Sequence, residues 1–314
     1  MTYLILILAL TALILGADLL VRGSVNLASA LGVPTLIIGL TIVAWGTSAP
    51  ELVVSLTAGL QGEYGIALGN IVGSNLANIL LIGGVAAALM PLSTAAVGLR
   101  FNTLLLVLVS MVLSAMVISG HLNPFIGAAL IAIKAFSLVK SFRGCVAPEG
   151  EEVQPEAMGP WRAATLALGG AILVGGGGYA LVESAEELAH LWGVPSAVIG
   201  LSIIAVGTSL PELAATIAAV RQRQGDLIMG NIIGSNLANI LIVLGFTALF
   251  APGRIHDAGA YVPLLILMMV ATLILTGFVL TRRAMGRPMG LALLIAYAIF
   301  ILVSFLVGSG PIHD

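Results

Sequence analysis

The sequence is poor in charge and nearly devoid of cysteine. Only 8% of its 314 residues are charged, whereas 60% are hydrophobic. A water-soluble domain carries about 25% charged residues, so water alone could not solvate this surface. The single cysteine, Cys145, excludes an internal disulfide framework and a cysteine-based metal cluster, and no basic run indicates nucleic-acid binding. The composition therefore predicts a polytopic membrane protein.

Apolar stretches of membrane-spanning length recur along the whole chain. At about 20 residues per crossing, they predict an all-α fold with ten transmembrane helices. The predicted spans are 3–28, 34–60, 66–90, 101–119, 122–141, 162–188, 195–220, 226–250, 259–281 and 288–308. A polar segment at 142–161 is predicted to be a cytoplasmic linker between a first five-helix half, 1–141, and a second, 162–314. We expect no cleavable signal peptide, because the N-terminus lacks a basic start.

Two polar motifs occur twice, always 161 residues apart. The motif Gly-Thr-Ser-x-Pro-Glu and the motif Gly-Asn-Ile-x-Gly-Ser-Asn-Leu-Ala-Asn each have a second copy. The copies occupy 46–51 and 207–212 for the first motif, and 69–78 and 230–239 for the second. More than half of the positions are identical between the surrounding segments, 32–80 and 193–241. The chain is therefore predicted to be an internal duplication.

The number of helices and the positions of the basic residues predict the orientation. Five helices per half is an odd number, so the two halves must cross the membrane in opposite directions. With both termini outside, only Arg254 among the Lys and Arg residues lies on the outer side, which is a strong positive-inside bias. Lys134 falls within the fifth span, and we expect it to snorkel towards an interface. The prediction is a multi-pass protein of the cytoplasmic (inner) cell membrane with its linker inside.

Two glutamates, Glu51 and Glu212, lie near the middle of spans 2 and 7. A carboxylate at the bilayer centre costs about 2.5–3.5 kcal/mol on insertion scales, so both should face a cavity lined by protein or water. One alternative is an ordinary buried ion pair, for which only Lys134 lies at comparable depth. Otherwise two facing carboxylates are stabilised by a bound cation, or by a proton when no cation is bound.

Pro50 and Pro211 directly precede the two glutamates. Proline lacks an amide hydrogen and disfavours helix at the residue before it, so helices 2 and 7 should break here. A plain proline kink is the alternative. A break frees backbone carbonyls, which need a partner at membrane depth and bind cations in transporters. The carbonyls expected to be free belong to Ala44, Thr47, Ala205 and Thr208.

Spans 3 and 8 each carry a polar stripe on one helix face. The stripes consist of Asn70, Ser74 and Asn78, and of Asn231, Ser235 and Asn239. We predict that helices 3 and 8 are broken, as helices 2 and 7 are. Ordinary hydrogen bonding between helices is an equally good interpretation for Asn70, Asn75, Asn231 and Asn236. The doubled stripe beside the glutamates favours a cavity for Ser74, Asn78, Ser235 and Asn239.

The resulting set of ligands contains only oxygen. The histidines all lie near span ends, at His121, His190, His256 and His313. Carboxylate, amide, hydroxyl and carbonyl oxygens select Na⁺, Ca²⁺, Mg²⁺ or Mn²⁺ over zinc or copper. Two negative charges neutralise one divalent ion or two monovalent ions in turn. Competition of this kind at one site is the physical basis of antiport.

These motifs closely resemble the alpha-repeats of the cation/Ca²⁺ exchanger superfamily, in its prokaryotic sodium/calcium exchanger branch. The resemblance covers both repeats and, in span count and linker position, the whole chain. It implies a secondary-active Na⁺/Ca²⁺ antiporter that works by alternating access, with helices 1 and 6 sliding across a core of the other eight. We therefore predict a transporter and not an enzyme, without a cofactor, with Ca²⁺ and Na⁺ as its partners in the lipid bilayer and with no obligate protein partner.

The resemblance also implies which residues bind the ions. A central ring of ligands consists of Glu51, Asn78, Glu212 and Asn239. The Ca²⁺ ion is also held by the carbonyls of Thr47 and Thr208. Flanking Na⁺ sites use Ser48, Ser74, Ser209 and Ser235 and the carbonyls of Ala44 and Ala205.

Departures from the family pattern narrow the choice of ion. Asn239 stands where relatives coupled to K⁺ have Asp, which argues against K⁺ coupling. Proton-coupled members place Glu shortly after the Gly-Asn of spans 3 and 8, whereas Ile71 and Val72 follow it here, which favours Na⁺ over H⁺. A Ca²⁺/H⁺ exchanger that uses the same glutamates is the nearest alternative. An intramembrane hydrolase with Ser48 or Ser209 as nucleophile lacks a base at that depth, and a passive channel fits paired broken helices less well than alternating access does.

Four acidic residues on helices 1 and 6 have two possible roles. They either lie at the membrane interface or line an access path for ions. These residues are Asp18, Glu183, Glu186 and Glu187.

Overall fold

A computed structural model describes residues 1–143, 158–191, 207–255 and 258–308. Several predicted features lie outside this part of the chain. They are most of the linker, the first part of the second repeat (193–206) with Ala205, the side chains of Glu186 and His190, and the residues Cys145, His256 and His313.

The first half of the chain is a run of helices joined by short turns. Its helices are α1 (Thr2–Leu31), α2 (Thr35–Thr47), α3 (Ala49–Leu60), α4 (Tyr64–Leu89), α5 (Leu99–Ile118) and α6 (Pro124–Arg143). Gly32 ends α1 with φ at 66°, a left-handed conformation that glycine adopts without steric cost. The chain can therefore turn back within three residues into α2.

The second half repeats this pattern as far as it is described. Its helices are α7 (Pro160–Leu191), α8 (Leu210–Arg221), α9 (Gly225–Phe250), α10 (Val262–Thr281) and α11 (Arg287–Gly308). In the described ranges, eight helices are long and apolar enough to cross a membrane, and the bent pair of α2 and α3 adds a ninth. The prediction of a helical polytopic membrane protein is confirmed, and the count of ten stays a prediction.

The predicted break in helix 2 lies at Ser48. The axes of α2 and α3 differ by 49° across this residue, which has φ −86° and ψ 9°. Pro50 occupies the first turn of α3, where its missing amide hydrogen has no helical partner to lose. Ser209, the equivalent residue in the second repeat, has nearly the same conformation before α8, with φ −90° and ψ 2°.

The prediction of breaks in helices 3 and 8 is wrong. Both α4 and α9 are continuous over 26 residues. Each contains a wider π-helical turn instead, at Ala77–Ile82 in α4 and at Asn239–Val243 in α9. No proline lies in either helix to interrupt the ladder of backbone hydrogen bonds. A π turn keeps the helix whole while changing the direction of nearby side chains, and such turns are frequent at functional sites.

Two short β-pairings join the halves at opposite ends of α5. Strand β1 (His121–Leu122) follows α5 and pairs antiparallel with β2 (Gly253–Arg254), which follows α9. Before α5, Leu92 pairs with Met285, which lies before α11. Because Gly253 is the repeat equivalent of Leu92, equivalent loops lie at opposite ends of α5. An inverted duplication produces this arrangement.

Helices α1 and α7 cross at very short range through glycines. A Cβ atom added to Gly16 would lie 2.6 Å from Leu173 Cβ, and one added to Gly177 would lie 2.9 Å from Ala9 O. Gly16 and Gly177 are themselves 161 residues apart, as the repeat requires. Small residues at such crossings allow helices in lipid to pack backbone against backbone.

Lys134 of α6 does not extend to a membrane interface, and the prediction that it snorkels is wrong. Its side chain is 2% exposed, and its Nζ lies 5.9 Å from the centroid of the Trp45 ring. Lys134 shares a helix face with Gly127 and Ile131, which both pack against Gly245 of α9. The packing of this face turns the lysine inward, against the preference of its charge.

Candidate cation site

Two carboxylates lie in the first turns of α3 and α8. Glu51 is the third residue of α3 and Glu212 is the third residue of α8, and neither has any exposed surface. The free amide groups and the dipole at a helix N-terminus favour a negative charge in the first turn. The sequence Pro-Glu thus starts each helix and places a carboxylate in its first turn, beside free backbone amides.

Neither carboxylate forms a salt bridge within the described residues. The ion pair found there joins Arg22 Nε to Asp18 Oδ2 at 2.9 Å, and both residues are on α1. A buried carboxylate without compensation costs several kcal/mol, so a structural role alone does not explain two of them. The alternative of an ordinary buried ion pair gains no support from this part of the chain.

Hydrogen bonds join the helix break of each repeat to the polar stripe of the other repeat. Thr47 Oγ1 lies 3.5 Å from Asn231 Oδ1, and Thr208 Oγ1 donates to Asn70 Oδ1 at 3.3 Å. These two contacts are equivalents under the repeat. The end of α2 therefore contacts α9, and the turn just before α8 contacts α4.

A hydrogen bond from Ser48 brings the two glutamates into one site. Ser48 Oγ donates to Glu212 Oε1 at 3.0 Å. Ser48 immediately precedes α3, whose first turn carries Glu51. The stripes also meet, because Asn239 Nδ2 donates to Ser74 Oγ at 2.9 Å. Carboxylate, amide and hydroxyl groups from both repeats thus surround one region between α3, α4, α8 and α9.

Several buried oxygens in this region have no hydrogen-bond partner among the described residues. They are Glu51 Oε1 and Oε2, Asn78 Oδ1, Ser209 Oγ, Glu212 Oε2 and Asn239 Oδ1. Leaving a buried polar atom unpaired costs about 1–3 kcal/mol, and more when the atom is charged. These are hard oxygen ligands of the kinds that Na⁺ and Ca²⁺ prefer, in about the number that Ca²⁺ takes. Cation binding would satisfy all of them together.

Comparison with known families agrees with this geometry. A family model described as sodium/calcium exchanger protein matches residues 1–142 and 162–306, which is most of the chain. This chain belongs to the sodium/calcium exchanger family. The match includes both halves of the exchanger and omits most of its linker, and the resemblance stated from the repeated motifs is confirmed. Membership also confirms the predicted class of function, cation antiport.

Three relatives align with the exchanger over nearly their whole length. It is 38% identical over 303 residues to the putative antiporter CaxA of Alkalimonas amylolytica, covering 92% of this chain and 93% of that protein. It is 35% identical to the inner membrane protein YrbG of Escherichia coli, covering 98% and 97%. It is 31% identical to the sodium/calcium exchanger MaX1 of Methanosarcina acetivorans, covering 96% and 98%.

Solved structures of the sodium-calcium exchanger NCX_Mj share the fold. The form soaked with 10 mM Na⁺ and zero Ca²⁺ has a TM-score of 0.85 at 28% identity, covering 96% of this chain and 98% of that one. The form soaked with zero Na⁺ and Ca²⁺ has a TM-score of 0.83 at 28% identity, with the same coverage.

The break in helix 2 of the exchanger does not free the Ala44 carbonyl, contrary to prediction. Ser48 N donates to Ala44 O at 3.0 Å, which closes the last turn of α2. The carbonyl that loses its usual donor is that of Gly46, because the residue four positions later is Pro50. The sequence contains this signal, since the rule needs only the position of the proline. Ala205, the equivalent of Ala44, lies outside the described residues.

Asn70 forms the helix–helix hydrogen bonds that its alternative interpretation predicted. Its Nδ2 donates to Ser55 Oγ at 2.8 Å and to the backbone carbonyl of Glu51 at 3.2 Å. Asn70 thus holds α4 against α3 and fixes the backbone beside the carboxylate. The sequence reasoning missed Ser55, although its position one turn after Glu51 places it on the same helix face.

The acidic residues of helices 1 and 6 have different surroundings, and their predicted roles at the interface or along an access path stay predictions. Asp18 pairs with Arg22 and also accepts a hydrogen bond from Gln222 Nε2 at 3.2 Å, so it joins α1 to the end of α8. Asp18 borders a cavity of about 560 Å³ between α1 and α8, and Glu183 of α7 borders another of about 220 Å³ whose lining includes Thr208. Glu187 is exposed, and the side chain of Glu186 is outside the described part of the chain.

Proposed function

We propose that the chain exchanges Na⁺ for Ca²⁺ across the cytoplasmic membrane, by alternating access at the site formed by Glu51 and Glu212. One observation carries the proposal. Two fully buried carboxylates lie in one site without a basic partner among the described residues, and buried oxygens without partners accompany them. Such a site needs positive charge in direct contact with the carboxylates, and no described basic side chain makes that contact. Hard cations supply both the charge and the coordination.

In this proposal the carboxylates form the centre of the ligand set. The central ring consists of Glu51, Asn78, Glu212 and Asn239, with the carbonyls of Thr47 and Thr208. Flanking Na⁺ sites use the hydroxyls of Ser48, Ser74, Ser209 and Ser235 and the carbonyls of Ala44 and Ala205. Ala44 O accepts a backbone hydrogen bond in the described conformation, so it would bind Na⁺ only after the last turn of α2 opens.

Charge balance makes the exchange obligatory. The two carboxylates carry two negative charges, which one Ca²⁺ or two Na⁺ neutralise. A site that still holds an uncompensated charge is costly to move through a low-dielectric interior. Occupied forms are therefore the ones that change orientation, and the two ions take turns in the same ligands.

The topology of the proposal is a pair of inverted five-helix repeats in a ten-helix protein. Both termini lie outside, and the linker at 142–161 lies inside with most of the basic residues. The cavity beside Glu183 and Thr208 is an access path between the site and the outer solution. Movement of α1 and α7 across the other helices opens the site to one side at a time, and the glycine crossing lets these two helices move together.

The test is Ca²⁺ uptake by proteoliposomes that contain the purified protein. Separate outward gradients of Na⁺, K⁺ and H⁺ are imposed in otherwise identical vesicles, and uptake of radioactive Ca²⁺ is followed. We expect the Na⁺ gradient to drive accumulation above equilibrium and the K⁺ gradient to have no effect. Accumulation driven by H⁺ alone would establish the Ca²⁺/H⁺ alternative with the same glutamates. Equilibration without accumulation under every gradient would contradict antiport.

A further inference from the structure

Helices α6 and α11 occupy equivalent places in the two halves. Gly127 of α6 packs against the backbone of Gly245 and Leu249 in α9, and Gly290 of α11 packs against that of Gly84 and Ala88 in α4. Residues 84 and 88 are the repeat equivalents of 245 and 249. One turn further on, Ile131 and Leu294 take equivalent places, because each lies 2.9 Å from the position of a Cβ on its partner glycine.

The next residue on the same face is basic in α6 and uncharged in α11. Three residues after Ile131 comes Lys134, and three residues after Leu294 comes Tyr297. Both side chains are buried, at 2% and 8% exposure. The first half of the molecule therefore has an amine where the second half has a phenol. The repeat does not require this amine, since the equivalent helix packs in the same way without it.

Lys134 lies next to an aromatic ring, on a helix that packs against one side of the ion site. Its Nζ lies 5.9 Å from the centroid of the Trp45 ring, within the range of a cation–π interaction. Trp45 belongs to α2, the helix that ends at Thr47. Helix α6 also packs against the π turn of α9 that begins at Asn239.

No carboxylate forms a salt bridge with Lys134 in the described ranges of the chain. A basic residue inside a membrane protein is rare, and it usually has a function. Among the described residues no acid is paired with it, so its charge is free to act on ions in the neighbouring site. A fixed positive charge repels Ca²⁺ with about twice the energy with which it repels Na⁺ at the same point, because the energy is proportional to the product of the charges.

We propose that Lys134 is a specificity-determining residue whose fixed positive charge lowers the affinity of the site for Ca²⁺ more than its affinity for Na⁺. The proposal rests on the proposed function, since it needs both ions to bind at the site of Glu51 and Glu212. Lys134 itself is not a ligand in it. The charge would keep Ca²⁺ binding weak enough for Na⁺ to displace it.

The test is equilibrium binding of each ion to purified variants, with calorimetry in a choline buffer. Replacing Lys134 by the neutral, unbranched Met (Lys134→Met) should tighten Ca²⁺ binding by about tenfold and binding of each Na⁺ by about threefold, the square root of that factor. Lys134→Gln is a second neutral variant in case the first does not fold. Lys134→Arg retains the charge and should preserve the wild-type ratio of the two affinities.

Tyr297→Met is the matched control, because it changes the equivalent buried position without changing charge. We expect both dissociation constants to stay within about twofold of the wild type. Equal factors for the two ions in the neutral variants, or weaker binding of both, would show that Lys134 acts through packing and would overturn the proposal. Wild-type protein that does not bind Ca²⁺ at all would instead contradict the proposed function.

Discussion

The two repeats have the same polar side chains at the site but use them differently. Ser48 of the first repeat donates to Glu212 of the second at 3.0 Å. The equivalent contact would join Ser209 to Glu51, yet neither side chain has a partner within the described part of the molecule. One serine–glutamate pair is thus formed and its counterpart is open.

The asparagines of the stripes show the same difference. Asn239 donates to Ser74 at 2.9 Å. Asn78 is the equivalent of Asn239, and its amide has no partner among the described side chains and backbone. Ser235, which would pair with it, lies instead 3.4 Å from Asn231 Oδ1, as a donor.

Identical residues with different contacts show that the difference is one of conformation and not of chemistry. In an inverted repeat, two conformations of one structural unit can be exchanged between the halves, and the exchange moves access from one side of the membrane to the other. We therefore expect a second state in which Ser209 donates to Glu51 and Ser48 is released. The following predictions test this comparison of the repeats.

The largest effect is expected from the glutamates. Glu51→Gln and Glu212→Gln should each abolish exchange, because either change leaves one negative charge where a divalent ion needs two. The protein should stay folded, since a neutral amide is less costly at the bilayer centre than a carboxylate. Ca²⁺ uptake by proteoliposomes measures the loss, and Glu63→Gln, at an exposed turn before α4, is the control. Full transport by either buried variant would remove that residue from the ligand set.

Substitution of Ser48 or Ser209 should change the relative populations of the two conformations. Ser48→Ala removes the hydrogen bond from Ser48 to Glu212, which only the described state makes. We therefore expect the population of the described state to fall by about tenfold or more relative to the other state. Ser209→Ala should shift the balance in the opposite direction. Distances between spin labels on α1 and α10 report the two populations. The double variant should lie near the wild type, and shifts of the same sign in both single variants would refute the exchange of conformations.

The crossing of α1 and α7 should affect rate and not binding. In Gly16→Ala and Gly177→Ala, a new methyl group meets the opposite helix at less than 3 Å. Overpacking of this kind costs about 1–3 kcal/mol, so we expect exchange to slow by about tenfold. Because the two glycines are equivalents, the two effects should be similar. Gly176→Ala is the control, since a Cβ there meets no described atom within 4 Å. Normal exchange with weaker Ca²⁺ binding would show that the crossing shapes the site instead.

The smallest effect is expected for Ser55 and Thr216, which lie one helical turn after the two glutamates. Ser55→Ala removes the acceptor of the 2.8 Å bond from Asn70, and should lower the free energy of unfolding by about 1 kcal/mol. The equivalent Thr216 has no partner for its hydroxyl in the described ranges. Thr216→Val should therefore change stability little. Thermal unfolding in detergent compares the two, and equal losses would mean that the repeats do not differ here.

The sequence was sufficient for features that depend on spacing and residue type. The constant offset of the two motifs identified Glu51 and Glu212 as a pair, and Pro50 predicted the break that the structure has at Ser48. Both inferences are local, because a proline acts on the residues just before it and a duplication preserves distances along the chain. Family membership then follows from the same motifs.

The remaining features depend on contacts between helices, which the sequence of one helix does not determine. Lys134 is buried because α6 packs one particular face against α9, and its own charge predicted the opposite. The π turns of α4 and α9 stand where breaks like those of helices 2 and 7 were predicted. The conformation of the whole molecule determines whether Ser48 or Ser209 donates to a glutamate. The two serines have the same sequence context, so the sequence alone predicts the same contact for both.

The lengths of α1 and α7 connect this protein to the bilayer around it. With 30 and 32 residues, these helices extend for about 45 Å, well beyond a hydrocarbon core of about 30 Å. Helices this long must lie obliquely in the membrane, and the angle depends on membrane thickness. Turnover should therefore vary with the acyl-chain length of the surrounding phospholipids, even though none of them touches an ion.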